Sequence, residues 1–210
     1  MLMIKRLIDF WGSLFGLILI SPLFLVVAVA IKLDSPGPVF FRQERAGKDG
    51  RVFKIFKFRT MVVNAEKMGA GVFVEKEDSR ITRVGKLLRD TSLDELPQLI
   101  NVLRGEMSLV GPRPTLPYQV ERYDERQKRR LLLRPGITGW AQVRGRNSLT
   151  WPEKIELDIW YVENWSLWLD LKILCKTIYA IFNKQNLYSG LKGDQISGVP
   201  LNRDKSGVPM

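Results

Sequence analysis

The sequence has no histidine and a single cysteine, Cys175, in 210 residues. Without histidine there is no imidazole general base, no Ser-His-Asp or Cys-His nucleophile system, and no histidine metal ligand. One cysteine excludes an internal disulfide framework and a cysteine-rich zinc site. An enzyme made from this chain must work with carboxylates, lysine, tyrosine, hydroxyls and backbone donors, with room for a hard cation bound through oxygen. Negative charge is also scarce. The 22 Asp and Glu face 33 Lys and Arg, a formal net charge of +11. That balance implies anionic partners: nucleic acid, anionic lipid or phosphorylated molecules. Charge alone does not choose among them. The length suits one domain, or one domain with an appendage, and can bury a real core.

Residues 10–31, FWGSLFGLILISPLFLVVAVAI, carry no charge. As a helix, the run reaches roughly 33 Å, enough to cross a bilayer core of about 30 Å. It is long for the apolar part of a signal peptide, and no small-x-small cleavage site with a polar mature start follows it. Ser21-Pro22 lies at its centre. Pro22 cannot donate a backbone hydrogen bond, so the run reads either as a kinked span or as a helix-break-helix. Lys5 and Arg6 precede it, and Lys32 and a strongly basic chain follow. Residues 42–59 alone hold seven Lys or Arg. Positive charge on both sides gives no clear crossing direction and fits a re-entrant segment with both ends on one side.

Beyond this run, Val39 to Phe41 and Val52 to Phe58 flank the turn-rich AGKDG (46–50), which predicts a β-hairpin. Residues 62–80 read as a loop with a short helix, and Ile81 to Arg89 as a short basic helix. Leu96, Leu99, Ile100 and Leu103 follow the i, i+3, i+4, i+7 spacing of an amphipathic helix. Pro97 fits only near its start, which places that start near Asp94, and Gly105 is its stop. VGPRP (110–114) and RPGITG (134–139) read as loops. Residues 115–133 read as a helix with a basic end at 128–130. Trp151 to Phe182 is mostly helical, with Cys175 as a small core residue. Residues 189–210 read as a loose tail. The predicted fold is α+β, predominantly helical with a short β-hairpin. It divides into a membrane segment at 1–35, a main domain with helices suited to an interface at 36–188, and the tail.

Asp94-Glu95 is the leading chemical candidate. Both carboxylates fall in the first turn of the predicted helix. There they either cap it, with Ser92 at capping-box spacing, or serve a site. A helix start keeps a carboxylate ionised and can hold a phosphate. An ionised Asp beside a phosphoryl group can act as a nucleophile, with arginines or Mg²⁺ offsetting the repulsion. Arg89 and Arg113 are suited to that task, because the guanidinium fork matches phosphate. Surface charge is the plain alternative for both. RVFKIFKFR (51–59) interleaves cations with aromatics. That composition suits nucleic acid, a membrane surface, or a strand with one solvated face. Trp151, Trp160, Trp165 and Trp168, with Tyr161 and Tyr179, suit either an interface or a core.

Five segments in order together resemble one family. They are KRLIDFWGSLFGLILISP (5–22), PGPVFFRQERAGKDGRVFKIFKFRTM (36–61), GKLLRDTSLDELPQLINVLRGEMSLVGPRP (85–114), RPGITGWAQVRGRN (134–147) and DIWYVENWSLWLDLKIL (158–174). The chain resembles the bacterial sugar transferases, or monotopic phosphoglycosyl transferases, in their small form without additional N-terminal spans. The resemblance implies transfer of a phosphosugar from a UDP-sugar to a polyprenol phosphate, commonly undecaprenyl phosphate, with release of UMP. It implies Mg²⁺ as cofactor, with Asp94 as a metal ligand as well as the nucleophile of a ping-pong mechanism. Glu95 is the second member of the dyad, and Arg89 and Arg113 lie near the bound phosphate. Lys57, Arg59, Arg134, Gln142, Arg146 and Asn147 are candidate substrate contacts without an atom assigned to each. Ser21 and Pro22 match the break of a re-entrant helix seated at the cytoplasmic face of the bacterial inner membrane. Membrane lipids are then expected partners, nucleic acid is not, and a homodimer stays open. The competing function is a membrane-anchored basic module without catalysis.

Overall fold

The apolar run folds as one helix, α1 (Leu2–Asp34), in a computed structural model that describes residues 1–68, 78–145 and 148–183. At 33 residues α1 is about 50 Å long. The break expected at Ser21-Pro22 does not interrupt the helix assignment: Pro22 lies inside α1. The reason is local. Pro22 has no N–H for the carbonyl four residues back, Ile18. The Ser21 hydroxyl donates to that same carbonyl at 2.8 Å and replaces the missing partner.

α1 buries one stripe: Lys5, Asp9 and Ser13, then Val27 and Ile31. Beside it Gly12 comes close to β3, since a Cβ there would stand 3.1 Å from Leu109 Cδ1. Trp11, Phe15, Ile18, Leu19, Leu25 and Val26 are exposed on the rest of the helix. Both ends of α1 are held by the rest of the chain. Lys5 Nζ pairs with Asp170 at 2.5 Å. At the far end, Arg59 donates to the carbonyls of Ser35 (2.6 Å) and Pro36 (2.9 Å).

The hairpin forms as predicted. β1 (Phe40–Ala46) pairs antiparallel with β2 (Val52–Phe58), Phe40 opposite Phe58 and Ala46 opposite Val52. α2 (Arg83–Asp90) follows, with Thr82 accepting the Gly85 N–H as its cap. A 3₁₀ turn, Leu93–Glu95, leads into α3 (Gln98–Arg104), which stops at Gly105 with φ 81°. Only glycine adopts that left-handed conformation without strain.

One segment read as a loop contains a strand, and the other begins on the last residue of one. β3 (Ser108–Val110) and β4 (Gly136–Thr138) pair in parallel. The glycines explain how. A Cβ on Gly136 would lie 2.0 Å from the Gly111 nitrogen, so the two backbones touch. Periodicity cannot reveal strands this short. The helix expected over 115–133 is also corrected. It is α4 (Pro117–Val120), α5 (Glu125–Lys128) and a 3₁₀ turn, Arg129–Leu131. Asp124 breaks it by turning extended and accepting the Gln127 N–H.

α6 (Trp140–Arg144), α7 (Trp151–Glu163) and α8 (Leu167–Asn183) close the described chain. One core cluster joins Val110, Trp140, Tyr161, Leu169 and Ile173. A second seats Val27 and Ile31 of α1 on Phe58 and Leu88. Cys175 is exposed rather than in the core, because Ile173 takes the buried face two residues earlier. The expected tail lies outside the described residues.

Candidate active site

The site begins with a backbone turn. Ser92 takes a left-handed conformation, φ 58°, between α2 and the 3₁₀ turn that carries Asp94 and Glu95. The capping box expected from Ser92 is absent, since its side chain does not cap this turn. Asn101, fully buried on α3, then ties the segment to the hairpin. It accepts the Phe56 N–H at 2.9 Å and donates to the Lys54 carbonyl at 2.8 Å. That lock sets the register in which Lys57 on β2 meets the two carboxylates.

Lys57 Nζ lies 2.7 Å from Glu95 Oε1 and 3.9 Å from Asp94 Oδ2. Arg113 Nη2 lies 2.8 Å from the same Glu95 oxygen. The carboxylates are therefore unequal. Burial pushes Glu95 up, but the charges and hydrogen bonds of Arg113 and Lys57 outweigh it and hold Glu95 well below the usual range. Asp94 is raised. Burial lifts it and Glu95 adds to the lift, against Lys57, Arg89 and Arg113. Arg89, in the last turn of α2, is thus an electrostatic neighbour of Asp94.

More cations stand close by. Arg45 on β1 feels Arg113 and Glu95, and burial with the Arg113 charge pushes it down to about 10. Lys154 on α7 is pushed down to about 8 by burial, by Arg113 and by Arg130, against Asp158. A half-buried pair of carboxylates ringed by surplus guanidinium groups suits a phosphorylated ligand.

A profile of the bacterial sugar transferase family matches residues 1–184. The chain belongs to that family. A Bacillus subtilis protein described as an uncharacterized sugar transferase, EpsL, is 45% identical over 186 residues, covering 89% of this chain and 91% of its own. An Aeromonas hydrophila UDP-N-acetylgalactosamine-undecaprenyl-phosphate N-acetylgalactosaminephosphotransferase is 48% identical over 184 residues. That match covers 85% of this chain but 43% of the relative. A Caulobacter vibrioides UDP-glucose:undecaprenyl-phosphate glucose-1-phosphate transferase is 45% identical over 193 residues, 88% of this chain and 72% of its own.

In this sugar transferase the sequence-expected residues divide. Asp94, Glu95, Lys57, Arg89 and Arg113 come together. Arg59 does not join them. It is buried and holds the end of α1. Arg134 donates to the Gly105 carbonyl at 2.8 Å, at the end of α3. Gln142 sits on α6, its amide 3.5 Å from the Ile137 carbonyl. Arg146 and Asn147 lie outside the described residues. Phe53, Phe56 and Phe58 of the basic hairpin are buried, which removes them as stacking platforms for nucleic acid or as membrane wedges. The tryptophans and tyrosines split: Trp168 and Tyr179 are exposed on α8, and Tyr161 is fully buried. The sequence reading missed Arg45 and Lys154. Each looks like one more surface cation until β1 and α7 bring it beside Arg113.

Among the described residues no group of three or more acidic or thiol side chains gathers to cage a metal. Mg²⁺ needs less. It keeps several waters and binds through one or two carboxylates plus substrate phosphates. Asp94, in ion-pair but not hydrogen-bond contact with Lys57, is the carboxylate that could hold such an ion.

Proposed function

We propose that this sugar transferase moves a sugar phosphate from a UDP-sugar to undecaprenyl phosphate or a related polyprenol phosphate, releasing UMP. The named activities of the Aeromonas and Caulobacter relatives support the reaction class. The observation that carries the mechanism is the inequality of Asp94 and Glu95. Lys57 and Arg113 both donate to Glu95 Oε1, while Asp94 lies beside it without a hydrogen bond from Lys57. Asp94 is the nucleophile in this reading, and Glu95 is the fixed anion that aims the two cations.

An Asp94 oxygen attacks the β-phosphorus of the UDP-sugar. The bond from that phosphorus to the UMP oxygen breaks, and UMP leaves with the electron pair. A phosphate oxygen of the polyprenol phosphate then attacks the same phosphorus, and Asp94 departs as carboxylate. Two phosphorylated substrates thus use one anion site in turn, which is ping-pong chemistry. Lys57 and Arg89 stabilise charge on the transferring phosphoryl group, and Arg113 binds the nucleotide's phosphates. Arg113 must exchange its Glu95 contact for phosphate. When bound, Mg²⁺ held by Asp94 and the diphosphate would neutralise phosphate charge.

A lipid acceptor requires a site at the membrane surface. The open face of α1 is apolar enough for lipid. Contact of both its ends with one body, through Lys5 and Arg59, supports a helix that enters and does not cross. We place it at the cytoplasmic face of the bacterial inner membrane. Single cysteines at Met3 and Lys48 in a Cys175→Ser background test this in intact cells, and both should resist an impermeant reagent added outside. Labelling of one alone overturns the re-entrant seat. The reaction is tested with a panel of UDP-sugars and undecaprenyl phosphate, scored by UMP release. At least one sugar should support release. Release undiminished in Asp94→Asn overturns the assignment.

A further inference from the structure

Arg113 reaches Glu95 from an unusual stretch of backbone. Pro112 and Pro114 flank it, both buried, while the Arg113 side chain is 51% exposed. Neither proline has an N–H to give. The loop is instead held by its carbonyls. The Gly136 N–H donates to Pro112 O at 2.9 Å, and the Ala46 N–H donates to Thr115 O at 2.8 Å. Between them, the Arg113 carbonyl accepts from Arg130 Nη2 at 3.1 Å.

Arg130 is an expensive donor. It is 3% exposed and pairs with Asp158, which is 1% exposed. Its other arm donates to the Tyr123 hydroxyl at 2.6 Å, and its plane lies 5.5 Å from the Trp151 ring centre. Burying such a pair is often no more stabilising than an apolar substitute. Its placement is specific, however. A single planar guanidinium links α7, through Asp158, to the backbone carbonyl of Arg113 itself. The Arg113 side chain is half exposed and held by Glu95, so its aim follows its backbone.

We infer that Arg130, braced by Asp158 and Tyr123, is a positioning residue that sets Arg113 for the phosphates of the nucleotide substrate. The inference rests on the UDP-sugar reading above. Arg130→Lys keeps the charge but loses the planar fork, and an ammonium cannot reach Asp158, Tyr123 and the Arg113 carbonyl in the same geometry.

The test is a double-mutant cycle of Arg130→Lys and Arg113→Ala. It is read in two ways: KM and kcat for UMP release, and equilibrium binding of UDP. Arg130→Lys should raise KM and weaken UDP binding by about tenfold, with kcat within about twofold. In the Arg113→Ala background it should add less than about twofold, because its effect passes through Arg113. Tyr123→Phe removes one brace with little loss of packing and should shift KM the same way by about two- to threefold. That milder variant decides the question if Arg130→Lys fails to fold. Independent, additive effects of Arg130→Lys and Arg113→Ala overturn the positioning role, as does an unchanged KM in both Arg130→Lys and Tyr123→Phe. If the wild type neither binds UDP nor releases UMP, the reading of the reaction fails and the positioning role falls with it.

Discussion

Two ion clusters, one at the root of α1 and one around Asp94 and Glu95, are built on different terms. At the root of α1, Asp170 accepts from Lys5, from Tyr161 at 2.6 Å and from Trp165 at 3.2 Å. Asp9 accepts from the Ser108 hydroxyl and the Leu109 N–H, both at 3.0 Å. Every carboxylate there has donors, and the pair is about one-tenth exposed. At the other cluster, Lys57 and Arg113 crowd one oxygen of Glu95, while Asp94 is left raised and half-served. The difference separates structure from chemistry. A satisfied cluster fixes an element, whereas an under-satisfied carboxylate among surplus cations has capacity left for a ligand or a reacting atom.

Four single substitutions and one double variant test that contrast. Asp94→Asn should have the largest effect, a loss of at least about 10³-fold in turnover with the unfolding midpoint little changed. Steady-state kinetics beside thermal unfolding reads both. Asp170→Asn should do the reverse. It leaves Lys5 buried and unpaired, at a cost of about 3–5 kcal/mol in denaturant unfolding, while kcat per folded molecule holds. Lys5→Met with Asp170→Leu should recover most of that loss. If it does not, the root cluster is more than a staple. Gly136→Ala strikes the backbone joint between the clusters, where its Cβ would lie 2.0 Å from the Gly111 nitrogen. A loss of about 1–3 kcal/mol is expected there, with KM raised as the Arg113 loop shifts. The smallest effect should come from Ser21→Ala, about 0.5–1 kcal/mol, for the hydroxyl that serves Ile18.

Legibility in the sequence followed the range of the interactions. The hairpin, α2, the body of α3 with its Gly105 stop, and the α7–α8 region rest on local periodicity and turn residues, and they were readable; the start of α3 was not, since it begins at Gln98 and leaves Asp94 and Glu95 on a 3₁₀ turn. The motif order also singled out Asp94, Glu95 and Arg113, which the fold gathers into one ion cluster. The β3–β4 pair was not readable, because three-residue strands bring no period and their pairing joins residues far apart. Arg59 and Arg134 were misplaced for a related reason. Both belong to basic stretches that look solvent- or substrate-facing, yet each spends its guanidinium on the carbonyls at a helix end, of α1 and α3 respectively. Arg130 gave no sign at all. Its place in a basic run hides the buried Asp158 that holds it, and only the fold brings the two together.

The central claim is that Asp94, and not the better-anchored Glu95, takes the phosphosugar. Incubation with a sugar-labelled UDP-sugar and Mg²⁺, without a lipid acceptor, tests it most directly. The wild type should release UMP once and keep the label on the peptide that carries Asp94, and added undecaprenyl phosphate should discharge it. Label that persists in Asp94→Asn, or that maps elsewhere, would contradict the account.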